Sequence, residues 1–141
     1  MADWTRAMVA DRLELAAEVM KSLPPVRPQG YFNAWPDYVA SFGDQVGQKP
    51  TKVKRPLPSP RMITQAEEAM LWLRWVDTDV AQILWARCNR WPWKRICWHH
   101  GISRPTASRR YEYGLAVIVL RLNGKTVQRK RSMEFVIASA P

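Results

Sequence analysis

The chain has 141 residues, enough for one domain with a hydrophobic core or for a small domain with tails. Its 22 Lys and Arg against 12 Asp and Glu give a formal charge of +10, a field that favours polyanions, meaning nucleic acid or an anionic membrane. No apolar run is long enough to span a bilayer and no signal-peptide layout is present, so the expectation is a cytoplasmic, nucleoid-associated protein with no membrane partner.

Asp3 to Leu23 reads as an amphipathic helix. Trp4, Met8, Ala16, Val19, Met20 and Leu23 lie on or near one stripe, with Arg12, Glu14, Glu18 and Lys21 mostly off it. Asp3 or Thr5 is positioned to cap its start, and Pro24-Pro25 stops it. Tyr31, Phe32, Trp35 and Tyr38 predict a segment folded back onto the helices, with a short helix from Pro36 to Phe42. Gly43 to Pro60 has no apolar periodicity and carries Lys49, Lys52, Lys54 and Arg55 among prolines and glycines. It reads either as a basic arm that tracks phosphates or as a solvated connector.

Thr64-Gln-Ala-Glu67 is a capping box that predicts a helix to about Val76, with Ala66, Met70, Leu73 and Trp72 or Trp75 as core candidates. Asp77 is the expected N-cap of a further helix to about Cys88, and Asp79 complements that helix's dipole. Asn89-Arg-Trp-Pro92 breaks it and places Pro92 early in the next helix.

From Trp93 to Leu122 the spacing predicts a helix-turn-helix. Trp93, Ile96 and Cys97 give a first helix a short apolar face, and Gly101 supplies the left-handed residue that ends it. Ser103 is an N-cap and Pro105 suits the first turn of the second helix. Ala107, Tyr111, Leu115, Ile118 and Leu122 recur at helical spacing and should face the core. An apolar residue is common where Arg110 falls, so the interior Tyr111 predicts a slightly rotated second helix. The other side offers Arg104, Thr106, Ser108, Arg109 and Tyr113 as base-contact candidates at the end of a recognition helix. Lys94, Arg95, Arg110, Lys125, Arg129, Lys130 and Arg131 are candidates for the nucleic-acid backbone. The alternative is a helix pair in a basic bundle whose arginines are merely solvated.

Cys88 and Cys97 sit at apolar positions and read as reduced core thiols. Together with His99 and His100 they lack a paired metal-ligand clip, so neither a metal nor a cofactor is expected. His99 and His100 are expected to cover the end of the first motif helix near the phosphates. Trp72, Trp75, Trp85, Trp91, Trp93 and Trp98 are expected to fill an all-helical core, a base-stacking platform for single strands being the alternative. After Asn123-Gly124 ends the last long helix, Arg129-Lys130-Arg131 suits phosphate or RNA. Met133, Phe135, Val136 and Ile137 suit an edge strand or a segment ordered on a partner.

The expected fold is therefore all-α. Residues 1–42 form an N-terminal helix and aromatic segment, 43–61 a basic Pro/Gly linker, 62–124 the helix-turn-helix domain, and 125–141 a basic and apolar tail. No nucleophile elbow, phosphate-cradling glycine loop or apolar pair of carboxylates is present, which argues against an enzyme.

Several segments together resemble a known family. They are Leu-Pro-Pro-Val-Arg-Pro-Gln-Gly-Tyr-Phe (23–32), Trp35-Pro36, Trp72 with Trp75, and Leu84-Trp-Ala-Arg87. Trp93-Lys94, Gly-Ile-Ser-Arg (101–104), Arg109-Arg110 and Leu122-Asn123 complete the set. They are similar to small proteins of alphaproteobacterial genomes, prophages and gene transfer agents, including activators of the GafZ type and the C-terminal part of GafA. The resemblance runs from about Arg12 to Asn123, and Tyr111 stands where tryptophan is expected. It implies a helical domain similar to region 4 of a sigma factor, with helices near 64–76, 77–88, 93–99 and 104–122. It also implies work with RNA polymerase on phage-like or gene-transfer-agent genes, as activator or antiterminator. The partners it implies are DNA and RNA polymerase, with nascent RNA and a co-activator protein as further candidates. The alternatives are a DNA-packaging protein like a phage terminase small subunit, and a polymerase-binding protein without base readout.

Overall fold

A computed structural model describes residues 3–24, 56–128 and 130–141. The aromatic segment around Trp35, the linker through Arg55, and Arg129 lie outside these residues. Six α-helices are described: α1 (Arg6–Ser22), α2 (Pro60–Trp72), α3 (Thr78–Cys88), α4 (Trp93–His100), α5 (Arg104–Leu122) and α6 (Met133–Ser139). A 3₁₀ turn, Leu73–Trp75, follows α2. The architecture is all-α, and among the described residues no helix is long and apolar enough to cross a membrane.

In α1, Thr5 is the N-cap and its hydroxyl accepts from the Met8 amide at 3.3 Å. The buried stripe is Val9, Leu13, Ala16, Ala17 and Val19, while Met8 and Met20 are exposed. The expected stripe is thus rotated toward smaller residues. The reason lies across the interface: α1 packs most extensively on α2, whose buried residues are Ala66, Ala69 and Trp72. Alanines on both helices let the backbones approach, and the long methionines are left at the edge. Trp4 closes the end of this pair edge-on to Trp72, with ring centroids 5.3 Å apart.

The capping-box start of α2 is corrected. The helix begins four residues earlier, at Pro60, with the Ser59 hydroxyl accepting from the Met62 amide. Proline at the first helical position has no N–H to leave unsatisfied. The Thr64 hydroxyl is instead a donor to the Pro60 carbonyl at 3.1 Å, a bond available only inside a helix. Pro60 and Arg61, assigned to the linker by sequence, therefore belong to the helical domain.

Asp77 is the N-cap of α3, as expected from its position, although its carboxylate makes no capping bond. Arg90, after the end of α3, takes a left-handed φ of 62°. That conformation lets the Trp91 amide reach back to the Ala86 carbonyl at 3.1 Å and satisfy a carbonyl of the last helical turn. Pro92 is the N-cap of α4 rather than an early helical residue.

The central element is α5, which packs on α1, α3, α4, α6 and the 3₁₀ turn. Ala107, Leu115 and Ile118 are buried and Tyr111 and Leu122 half-buried, on the expected face. From Gly114 to Leu120 every residue is buried, so this stretch has no polar side. A Cβ on Gly114 would stand 2.6 Å from Val80 Cγ1 and 2.8 Å from Leu84 Cδ1, which shows how closely α3 approaches α5 there.

The apolar end of the tail forms α6, not a strand. The Ser132 hydroxyl caps it by accepting from the Phe135 amide, and Val136 packs it into the core against α5. The Pro141 carbonyl then accepts from the Arg6 amide at 3.2 Å. Beside it, the Asn123 side chain bridges the Trp4 backbone, accepting from its N–H at 2.8 Å and donating to its C=O at 3.0 Å.

Candidate nucleic-acid interface

Helices α4 and α5 are joined by Gly101, Ile102 and Ser103. Gly101 has φ 64° and ψ 34°, and a Cβ placed on it would meet nothing within 4 Å. Backbone conformation, and not crowding, is what asks for glycine there. The Cys97 carbonyl accepts from both the Gly101 and the Ile102 amides, closing α4. Ser103 is the N-cap of α5, but its hydroxyl pairs with the Thr106 hydroxyl at 2.9 Å instead of with a backbone amide. Ile96 is the fully buried residue of α4 and fixes that helix against α3 and α5.

On this frame Lys94, Arg95, Arg104 and Arg109 are exposed, while Thr106, Ser108 and Arg110 are half-buried. Among the described residues the ion pairs are Arg6–Glu112 and Arg90–Glu18, both at 3.2 Å. None of the cations of α4 or the first two turns of α5 is in an ion pair within this set. Their charge is therefore uncompensated at short range and available to an anion.

Two of the arginines are held by tryptophan rather than by carboxylate. The Trp93 ring carries the guanidinium of Arg104, at 4.5 Å, and that of Arg87, at 4.9 Å. Tyr111 meets the same indole edge-on at 5.6 Å. Arg87 also donates to the Trp91 carbonyl at 3.1 Å, tying the α3–α4 connection to this cluster. The Arg95 guanidinium stacks on Trp91 at 3.9 Å. A stacked guanidinium keeps its in-plane N–H groups directed outward, so the flat rings orient arginines without neutralising them.

The remaining candidates fall elsewhere. Tyr113 is half-buried against the core beside Trp75, Val76 and Val127, which corrects its assignment as a base contact. It lies more than two helical turns beyond Arg104, where the 3₁₀ turn and the tail cover α5. Lys125, Lys130 and Arg131 are exposed at the far end of α5, with Arg131 bonded to Gln128 and lying over Phe135. At 1.5 Å per residue, α5 separates this group from Arg104 by roughly 27 Å. The two basic groups are distinct patches and not one.

Sequence reasoning missed Arg87, Trp91 and Trp93 as the supports of the arginines, since the Trp93 contacts cross the turns on either side of α4. The expectation that all six clustered tryptophans fill the core is corrected at Trp98, which is 84% exposed on α4. Trp72 is buried, and Trp75, Trp85, Trp91 and Trp93 are half-buried.

Cys88 is buried, and loss of hydration pushes its thiol up to about 12, with the nearby Glu14 adding to the shift. Burial likewise pushes the Tyr111 hydroxyl up to about 12. Both groups are packing residues beneath the arginine surface and not nucleophiles.

No curated protein and no solved structure matches the chain. Residues 21–118, from the last turn of α1 to the buried centre of α5, match a family described as a domain of unknown function, DUF6362, and the chain belongs to that family.

Proposed function

We propose that the protein is a transcription regulator in which α4, the turn and α5 act as a helix-turn-helix on DNA. In this reading it works with RNA polymerase on phage-like or gene-transfer-agent genes, as activator or antiterminator. The observation that carries the reading is the state of Arg104 and Arg109. They are exposed and outside any ion pair among the described residues, while Ala107 and Ile118 of the same helix are fully buried. Arg104, Thr106, Ser108 and Arg109 are the base-contact set, and Lys94, Arg95 and Arg110 the phosphate set. A gel-shift titration tests it. Arg109→Ala is expected to weaken binding to a specific site by about 1–3 kcal/mol and to relax selectivity there. Unchanged binding to every sequence would remove Arg109 from base readout.

The exposed Trp98 favours a second reading, in which α4 docks on a protein partner such as polymerase and base readout is absent. Exposed tryptophan is a frequent anchor of protein interfaces, and here it stands one turn after Lys94 and Arg95. Polymerase capture that survives nuclease treatment, with no sequence preference in gel shift, would favour this reading over the first.

A further inference from the structure

A second surface adjoins α4. The end of α1, α3 and α4 enclose an open groove of about 550 Å³ lined by Lys21, Trp85, Asn89, Trp91, His99 and His100, together with the exposed face of α3. Its size lies within the roughly 300–1,000 Å³ typical of sites for small organic groups. Its walls are mostly flat rings. Trp91 meets His99 edge-on at 6.0 Å, and His99 meets His100 at 5.0 Å. The Arg95 guanidinium lies over the Trp91 ring at 3.9 Å.

Among the described residues no carboxylate lines the groove, and Lys21 is the Lys or Arg that does. Glu18, one turn before Lys21, is engaged by Arg90 at 3.2 Å. Asn89 donates its side-chain N–H to the Trp85 carbonyl at 2.8 Å, which fixes the amide and leaves its Oδ1 as an acceptor. Flat rings, a fixed amide and a cation at the rim are the elements that hold an unstacked base and its phosphate. A duplex could not use them, because its bases are already stacked on one another.

We propose that this groove binds single-stranded nucleic acid, with bases stacking on the Trp85, Trp91, His99 and His100 surface and Lys21 meeting the adjoining phosphate. The site is separate from the residues assigned to duplex DNA, so it stands or falls apart from that reading.

Fluorescence anisotropy on the full chain tests it, with labelled single strands of about 12 nucleotides, DNA and RNA, beside a duplex of arbitrary sequence. The double substitution His99→Ala, His100→Ala is expected to weaken single-strand binding roughly tenfold or more. Trp85→Phe keeps a flat ring and is expected to retain single-strand binding, whereas Trp85→Leu is expected to lose it. Equal affinity of the wild type and the histidine variant for single strands would overturn the proposal. So would a loss of duplex binding by Trp85→Leu parallel to its loss on single strands, which would mark a general surface effect. Comparing the DNA and RNA strands distinguishes the two sources of the ligand. In the same assay Arg109→Ala reports on the duplex reading alone, so the two failures are distinguishable.

Discussion

At the scale of single residues, the informative side chains are those whose surroundings depart from their type. Cys88 and Tyr111 are weak acids kept neutral by burial. Below pH 9 both are protonated whether the chain is folded or not, and they contribute their full share to stability. Above that, the unfolded chain ionises from ordinary values of 9.0 and 10.0, while the folded chain holds its protons to about 12. Stability is therefore expected to fall between about pH 9 and 12, measured as a decreasing urea midpoint across that range. Trp98 departs in the opposite sense, since a large indole is left in water. Trp98→Ala is expected to leave the thermal midpoint within about 2 °C, because a side chain so exposed forms little of the core. The same substitution is expected to weaken capture of a protein partner by about 2 kcal/mol if α4 is the docking helix. A loss of stability as large as that would show that Trp98 supports the fold.

Helices are the scale at which the sequence was most legible. Proline, glycine, serine and aspartate mark the starts and stops, and the turn at Gly101 and the core face of α5 lie where spacing places them. What spacing could not show is how neighbours select among apolar residues. In α1 the large methionines drew the expected stripe, but alanines on α2 reward close approach and put Val9 and Leu13 inside. In α2 a capping box at Thr64 was outcompeted by Ser59-Pro60 because the helix gains another turn. The apolar run of the tail suits an edge strand or a segment ordered on a partner, and it is too short for periodicity to distinguish strand from helix. The arginine set was visible from sequence apart from its supports. Trp93 joins Arg87 on one helix to Arg104 on another, a relation that only the turn creates. Gly114 gives the sharpest element-scale test. An added methyl must displace Val80 or Leu84, and the expected loss of about 1–3 kcal/mol from overpacking outweighs the gain in helix propensity of about 1 kcal/mol. Urea unfolding of Gly114→Ala checks this, and a more stable variant would mean that α3 gives way freely.

Over the described residues, two basic groups stand apart at the ends of α5. Lys94, Arg95, Arg104, Arg109 and Arg110 form the group at the α4–α5 turn, and Lys125, Lys130 and Arg131 a second group at the other end of α5. If a duplex is held only at the first, log affinity should fall with log salt with a slope of about −4 to −5. Lys94→Ala should then reduce that slope by about 1 at unchanged sequence preference, and Lys125→Ala should leave it unaltered. A slope reduced by both would mean that one nucleic acid spans both ends of the helix.

The bonds between Trp4 and Asn123 join residues 119 positions apart. During synthesis α1 therefore leaves the ribosome well before the residues that fix its first turn exist. Until then α1 can pair with α2, but it lacks its contacts with α5 and the Asn123 bridge at its start. The entry to α1 is thus expected to settle late. A nascent chain halted before α5 emerges would keep the start of α1 open to proteases, and synthesis through Asn123 would close it.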